Sequence, residues 1–171
     1  MPRVSSKVAT VQDMTKDHVL LTWSNVVVAI FRRETTLASV ASIQRIYNKC
    51  AAAHRRGIYM LTIVEEGAPM PPAEVREALA RFLESGSGKT LLSGVVHEGT
   101  GFRAAAVRSV VTGLAMLARL PYPHRVFASV ELASHWFASA GAKDIYVTEL
   151  LQGIDEARRR GSASGPQVRV V

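Results

Sequence analysis

The chain of 171 residues has a single cysteine, Cys50, so no internal disulfide can hold it together and nothing in it requires an oxidising compartment. Aromatic residues make up only 6% of it, too few for the stacking platforms that single-stranded nucleic-acid binders use. No apolar run approaches the roughly 20 residues of a membrane-spanning helix. The opening stretch from Met1 to Met14 lacks the hydrophobic core of a secretory leader. A cytoplasmic protein without a membrane span is the expectation. No internal repeat is present, so solenoid and array architectures are excluded.

Acid is scarce beside base, 14 Asp plus Glu against 21 Lys plus Arg, for a formal net charge of +7. The excess is unevenly placed. Residues 158–171 hold Arg158, Arg159, Arg160 and Arg169 with no acid, whereas residues 18–157 are close to balance. A nucleic-acid-binding domain carries its basic face within the fold, so this distribution argues against nucleic acid as a partner. Arginine outnumbers lysine sixteen to five and alanine is abundant, the bias of a GC-rich bacterial genome. A hydrophobic fraction of 48% is ordinary for a globular protein, and this length suffices to bury one core without staples.

The chain does offer alternation. Short apolar runs at Val26–Phe31, Ile58–Val64, Leu91–Val96 and Arg125–Ala128 take turns with longer segments of helical spacing. Such alternation implies an α/β domain, a single mostly parallel or mixed sheet with crossover helices. It opens with a β-hairpin, His18–Trp23 and Val26–Phe31 joined by Ser24-Asn25. Leu37, Val40, Ile46, Tyr47 and Cys50 put an amphipathic helix over 37–55, with Thr35 or Thr36 to cap it. Cys50 on that stripe reads as a small core residue. Val75, Ala78, Leu79, Phe82 and Leu83 form the next stripe. Phe102–Leu120 is so rich in Ala, Val and Leu that most of it should be buried. The helix 130–140 follows the last strand. The expected organisation is a loosely ordered segment or edge strand over 1–17, an α/β domain over 18–142, an amphipathic helix over 143–160 and a disordered basic tail over 161–171. Val147, Leu150, Leu151 and Ile154 give that helix a stripe that packs on the domain or serves a homodimer through residues 144–157.

Parallel strands place their strand-to-helix loops on one edge, where ligands and partners bind. Three loops meet there by this reading. Arg32, Arg33 and Glu34 follow the second hairpin strand, Glu65 and Glu66 the next, and His97, Glu98, Thr100 and Arg103 the one after. His97–Arg103 runs from a strand end into a helix start with glycines that permit close backbone approach, so it can hold an anion or a partner's carboxylate. Glu65, Glu66, His97 and Glu98 carry no fixed ligand spacing, so no metal and no other cofactor is expected. Glu84–Thr90, reading Glu-Ser-Gly-Ser-Gly-Lys-Thr, imitates a phosphate loop. Its first required glycine is replaced by Leu83, and a helix precedes it where a strand should. No catalytic residues are assigned, because no Ser/His/Asp or Cys/His arrangement can be built.

The stretch Arg125-Val-Phe-Ala-Ser-Val-Glu-Leu-Ala-Ser-His-Trp-Phe137, in which a short strand with a Phe leads into a helix carrying Glu, Ala and a Trp-hydrophobic pair, resembles the ending of STAS domains (the sulfate-transporter and anti-sigma-antagonist fold), especially the SpoIIAA-like branch. The order of elements over residues 18–140 is similar too. The resemblance implies a non-enzymatic cytoplasmic signalling module that binds a partner protein. Phosphoregulated members present a serine in an Asp-Ser-(Ser/Thr)-Gly stretch. The matching Glu65–Pro72 contains no Ser or Thr, so no phosphorylatable serine is carried over. Two other functions fit the same sequence. One is a carrier or sensor of a small anionic or lipid-like ligand, with the small side chains of 104–118 leaving room for it. The other is an enzyme with His97 and Glu98 as an acid/base pair.

Overall fold

The computed structural model describes residues 8–86, 88–117, 119–140 and 146–163. Among them, six strands form one sheet: β1 (Thr10–Met14), β2 (His18–Trp23), β3 (Val26–Phe31), β4 (Ile58–Val64), β5 (Thr90–His97) and β6 (His124–Phe127). The strands lie side by side in chain order. The first three are antiparallel neighbours, and β3 through β6 run parallel. This is the α/β mixed sheet that the alternation implied. Because the order never reverses, the described sheet has no switch-point crevice of the kind that doubly wound folds use for ligands.

The hairpin turns on two residues. Trp23 pairs with Val26, and Ser24 adopts a left-handed φ of 55°. Asn25 holds the turn by donating its side-chain amide to the Gly57 carbonyl at 3.0 Å. The N-terminal segment resolves to an edge strand, β1, while residues 1–7 lie outside the described residues. The last strand runs from His124 to Phe127, one residue earlier than its apolar run suggested.

Alternation along the strands divides the core in two. Val27, Ala29, Phe31, Ile58 and Met60 face α1 (Leu37–Ala53) and α2 (Ala73–Ser85). Val26, Val28, Ile30, Leu61, Ile63 and Val96 face α4 (Val130–Ser139) and α5 (Val147–Ala163). The third crossover helix, α3 (Gly101–Leu117), shares the face of α1 and α2. His124 and Val126 point there by register with Ser93 and Val95, and Thr112 of α3 lines a cleft with them.

Helix α1 starts on a capping box. The Thr36 hydroxyl accepts from the Ser39 amide at 3.2 Å, and the Ser39 hydroxyl accepts from the Thr36 amide at 3.3 Å. Val40, Ile43, Ile46, Tyr47, Cys50 and Ala51 turn one stripe into the core. The Tyr47 hydroxyl reaches Thr90 at 2.9 Å and the Gly86 carbonyl at 3.2 Å, tying α1 to the start of β5.

Over 101–109 and at Val111 and Thr112, where α3 side chains are described, Ala104 is the one buried residue, so the expectation of a mostly buried helix does not hold over that stretch; the side chains of 110 and 113–117 lie outside the described ones. The apolar residues of α3 are spread around the helix rather than gathered in a stripe, and alanine is too short to reach far into the sheet. Whichever side faces inward, apolar side chains remain outside. At the basic C-terminal stretch, Arg158, Arg159 and Arg160 belong to α5, inside the helix expected over 143–160, and the helix continues through 161–163, where a disordered tail was expected. Leu150, Ile154 and Ala157 bury its stripe in this chain's own core, the first of the two placements expected for it. Residues 143–145 and the tail 164–171 lie outside the described residues.

Candidate functional site

The loops after β3, β4 and β5 meet at the carboxyl end of the sheet, as the topology requires. Their inner part is closed by charge. Arg158 of α5 donates from Nη2 to Glu98 Oε1 at 2.8 Å, and its Nε lies 3.4 Å from Glu65 Oε1. From the other side, Arg32 Nε stands 3.8 Å from the same Glu65 oxygen, and its Nη2 donates to the Arg158 carbonyl at 2.8 Å. Two carboxylates and two guanidiniums therefore neutralise one another, with the Arg32 side chain only 11% exposed. Both Nε groups are buried without a hydrogen-bond acceptor and are held by ion pairing alone. Further along α5, Glu156 accepts from Arg159 at 2.7 Å and from Arg160 at 2.9 Å, which holds its carboxyl below the usual range.

Arg158 is the member that sequence reasoning missed: it falls inside the helix expected over 143–160 and is not among the candidates. The signal was present: the stripe Leu150, Ile154, Ala157 continues in register, so a helix running past 157 brings Arg158 to the sheet edge.

His97 and Glu98 diverge. As consecutive residues at a strand end they point to opposite faces, and Glu98 is taken by Arg158. The His97 ring is half-buried, and burial together with the nearby Arg108 guanidinium holds its pKa below the ordinary value. Arg108 reaches back from α3 to the His97 and Gly99 carbonyls, at 3.0 and 3.3 Å. Gly99 and Gly101 take φ values of 117° and 84°, a conformation that needs glycine. The arrangement fixes a loop and does not assemble an acid/base pair. Among the described residues, no group of three His, Cys, Asp or Glu is placed to hold a metal.

Of the remaining candidates, Arg33, Glu34, Glu66, Thr100 and Arg103 are exposed, and none has a side-chain hydrogen bond or ion pair among the described residues. Beside them lie three exposed apolar residues, of which Leu37 reads from the sequence as part of a buried stripe while Met70 and Phe102 fall within the edge loops. Leu37 and Met70 are 49% and 51% exposed, and Phe102 is 91% exposed. These three stand at the amino ends of α1, α2 and α3 on one rim. Leu37 and Met70 line a groove of about 500 Å³ with Pro69, Pro71, Glu34 and Glu74. Phe102 follows Gly101, whose φ is 84°, in the first turn of α3, an exposed place that apolar periodicity alone does not reveal.

A second cleft, of about 400 Å³, opens at the far end of α3 between Thr112, Arg119, Tyr122 and His124. Burial depresses the His124 pKa, and its buried Nδ1 has no hydrogen-bond partner. Tyr122 donates to the Leu83 carbonyl at 3.0 Å, and burial, aided by Tyr47, pushes its pKa up to about 12. The glycine stretch that imitates a phosphate loop runs from α2 into β5, with Gly86 capping the helix through the Phe82 carbonyl. Cys50 is buried, its thiol pKa raised by desolvation. No helix among the described residues is long and apolar enough to cross a membrane.

No protein-family model, curated protein or solved structure matches the chain.

Proposed function

We propose that this chain is a non-enzymatic regulatory module of STAS-like architecture that binds a partner protein through the rim formed by its strand-to-helix loops. One observation carries the reading: Phe102 stands 91% exposed at the head of an apolar helix whose first turns bury only Ala104. An aromatic side chain left in water on the same rim as Met70 and Leu37, together with Arg33, Glu34, Glu66, Thr100 and Arg103 in the same loops, has the composition of a docking surface, apolar side chains among charged ones. The inner charges Arg32, Glu65 and Glu98 act as the scaffold under that surface. With no Ser or Thr in Glu65–Pro72, binding is controlled by something other than phosphorylation of that loop.

A tagged pull-down from the native cytoplasm tests this, run beside Phe102→Ser/Arg103→Glu. The expected outcome is a stoichiometric protein captured by the wild type and lost from the variant, with both chains melting at the same temperature. Capture that survives the double change would remove the rim from consideration.

The cleft at Thr112, Arg119 and His124 favours a second reading, a carrier or sensor of a small anionic or lipid-like ligand. A ligand that binds the folded state raises its melting temperature by mass action. A thermal screen across phosphorylated metabolites and fatty acids supports that reading if one class stabilises the protein and Arg119→Ala abolishes the shift. It counts against it if none does.

A further inference from the structure

The groove between the amino ends of α1 and α2 is open, apolar along its walls and acidic at its mouth. Thr35 and Val75 are buried in it, Leu37 and Met70 are half-exposed, and the prolines of the β4–α2 loop form one side. Glu34 and Glu74 are both exposed and have no ion-pair partner among the described residues. An occupant that fits would be short, extended, apolar and basic.

This chain supplies such a segment. Beyond Ala163 it reads Ser-Gly-Pro-Gln-Val-Arg-Val-Val over residues 164–171, with a cation, Arg169, set among three valines and no acid. In an extended conformation Val168 and Val170 share one side while Arg169 projects from the other. The valines then suit the apolar walls, and the long arginine stem reaches the carboxylates at the mouth.

Geometry permits the encounter. Gly161 of α5 lies directly against the Arg32 guanidinium, where a side chain on it could not fit without displacing that group. The helix therefore ends at the carboxyl rim, next to the loop that leads from Arg32 through Glu34 into α1. From the Arg32 Cα the chain covers at most about 14 Å to Thr36, at roughly 3.3–3.6 Å per residue. The arginine side chain adds about 7 Å by the same bond lengths. Residues 164–169, which follow the helix, extend to about 20–22 Å, and the Arg169 side chain adds about 7 Å, so its guanidinium can reach the groove.

We infer that residues 164–171 dock in the α1–α2 groove, with Val168 and Val170 against Leu37 and Met70 and Arg169 between Glu34 and Glu74. The groove is part of the rim in the proposed function, but the docking is intramolecular and does not require a partner protein. Its consequence for that function is competition: a partner's extended segment of like chemistry must displace the chain's own.

Disulfide trapping in the full-length chain tests this without any partner. Met70→Cys with Val170→Cys places two thiols in the docked geometry, while Leu132→Cys with Val170→Cys places one on exposed α4, across the sheet. Native Cys50 stays buried in both. Under mild oxidation the first pair should close intramolecularly at least tenfold faster than the second. Arg169→Glu, or Glu34→Lys with Glu74→Lys, should remove most of that advantage. An excess of the peptide Gly-Pro-Gln-Val-Arg-Val-Val should do the same by competition. Equal rates for the two cysteine pairs, or a rate indifferent to all of these changes, overturns the docking. Either result leaves the pull-down with the Phe102 variant to be judged on its own.

Discussion

Helices α1 and α3 are both 17 residues long and lie on the same face of the same sheet, yet they relate to it in opposite ways. In α1 the apolar residues fall on one stripe, seven residues are buried, and the start is closed by a reciprocal Thr36–Ser39 cap. In α3 apolar residues surround the helix, Ala104 alone is buried among the described side chains, and the loop before it is secured from behind by Arg108. The sheet follows the same gradient. Ala29 and Phe31 in β3 are buried, whereas Val95 in β5 and Val126 in β6 are only partly so. Apolar content does not decide burial. The arrangement of that content around the helix axis does, because only a concentrated stripe can be satisfied by a single flat surface.

That contrast can be broken by mutation. Ile43→Ala in α1 is expected to cost about 3 kcal/mol by chemical denaturation, since it deletes most of a fully buried side chain and leaves a cavity. Val107→Ala in α3 should cost about 1 kcal/mol or less, its side chain being only partly covered. Equal losses would mean that α3 is packed in solution as firmly as α1.

Arg158→Ala is expected to follow at about 1–2 kcal/mol, between the surface and buried limits, because Glu65 and Glu98 lose a shared cation while remaining partly wet. Removing the cap of α1 with Thr36→Ala should cost about 1 kcal/mol. Hydrogen exchange on the same samples should show α1 amides protected well beyond those of α3.

A pH series sharpens the comparison at the far end of α3. The His124 pKa is depressed in the folded state by burial, so the unfolded chain binds the proton first as pH falls. The stability it protects is present above about 6.5 and is lost as pH drops below that value toward the folded pKa. His97 acts in the same direction. The slope per histidine is at most about 1.4 kcal/mol per pH unit, and His124→Gln should flatten its share of the curve. An unchanged curve would mean that water already reaches the α3 end of the layer. The smallest effect is expected at the rim, where Phe102→Ser should alter stability by no more than about 0.5 kcal/mol, since it removes contacts only with solvent.

Much of this architecture was legible in the chain. The hairpin at Ser24-Asn25, the stripe from Leu37 to Ala51 and the near-continuous apolar run Ile58–Val64 announce their structures because each is set by neighbours in sequence. The imitation phosphate loop could be dismissed for the same reason. The candidate site was read less completely. Its loops were correctly gathered on one edge, but four of the nine candidates face inward or pair there. Arg158, over ninety positions beyond Glu65, has no local feature that marks its partner. Phe102, inside the edge loop His97–Arg103 and at the head of a helix expected to be mostly buried, could not be placed by its apolar character, which fixes what a residue prefers and not which way its backbone turns it.

Local spacing by itself determined the elements, their order and which loops share an edge, since periodicity, turn residues and the rules of parallel connection act over a few residues at a time. Only the tertiary structure decided that α5 crosses that edge and spends Arg158 on Glu65 and Glu98, that the sheet winds without reversal, and that the first turns of α3 stay largely uncovered. Those outcomes depend on which surfaces compete for the same faces of one sheet, a competition settled by packing across the whole chain.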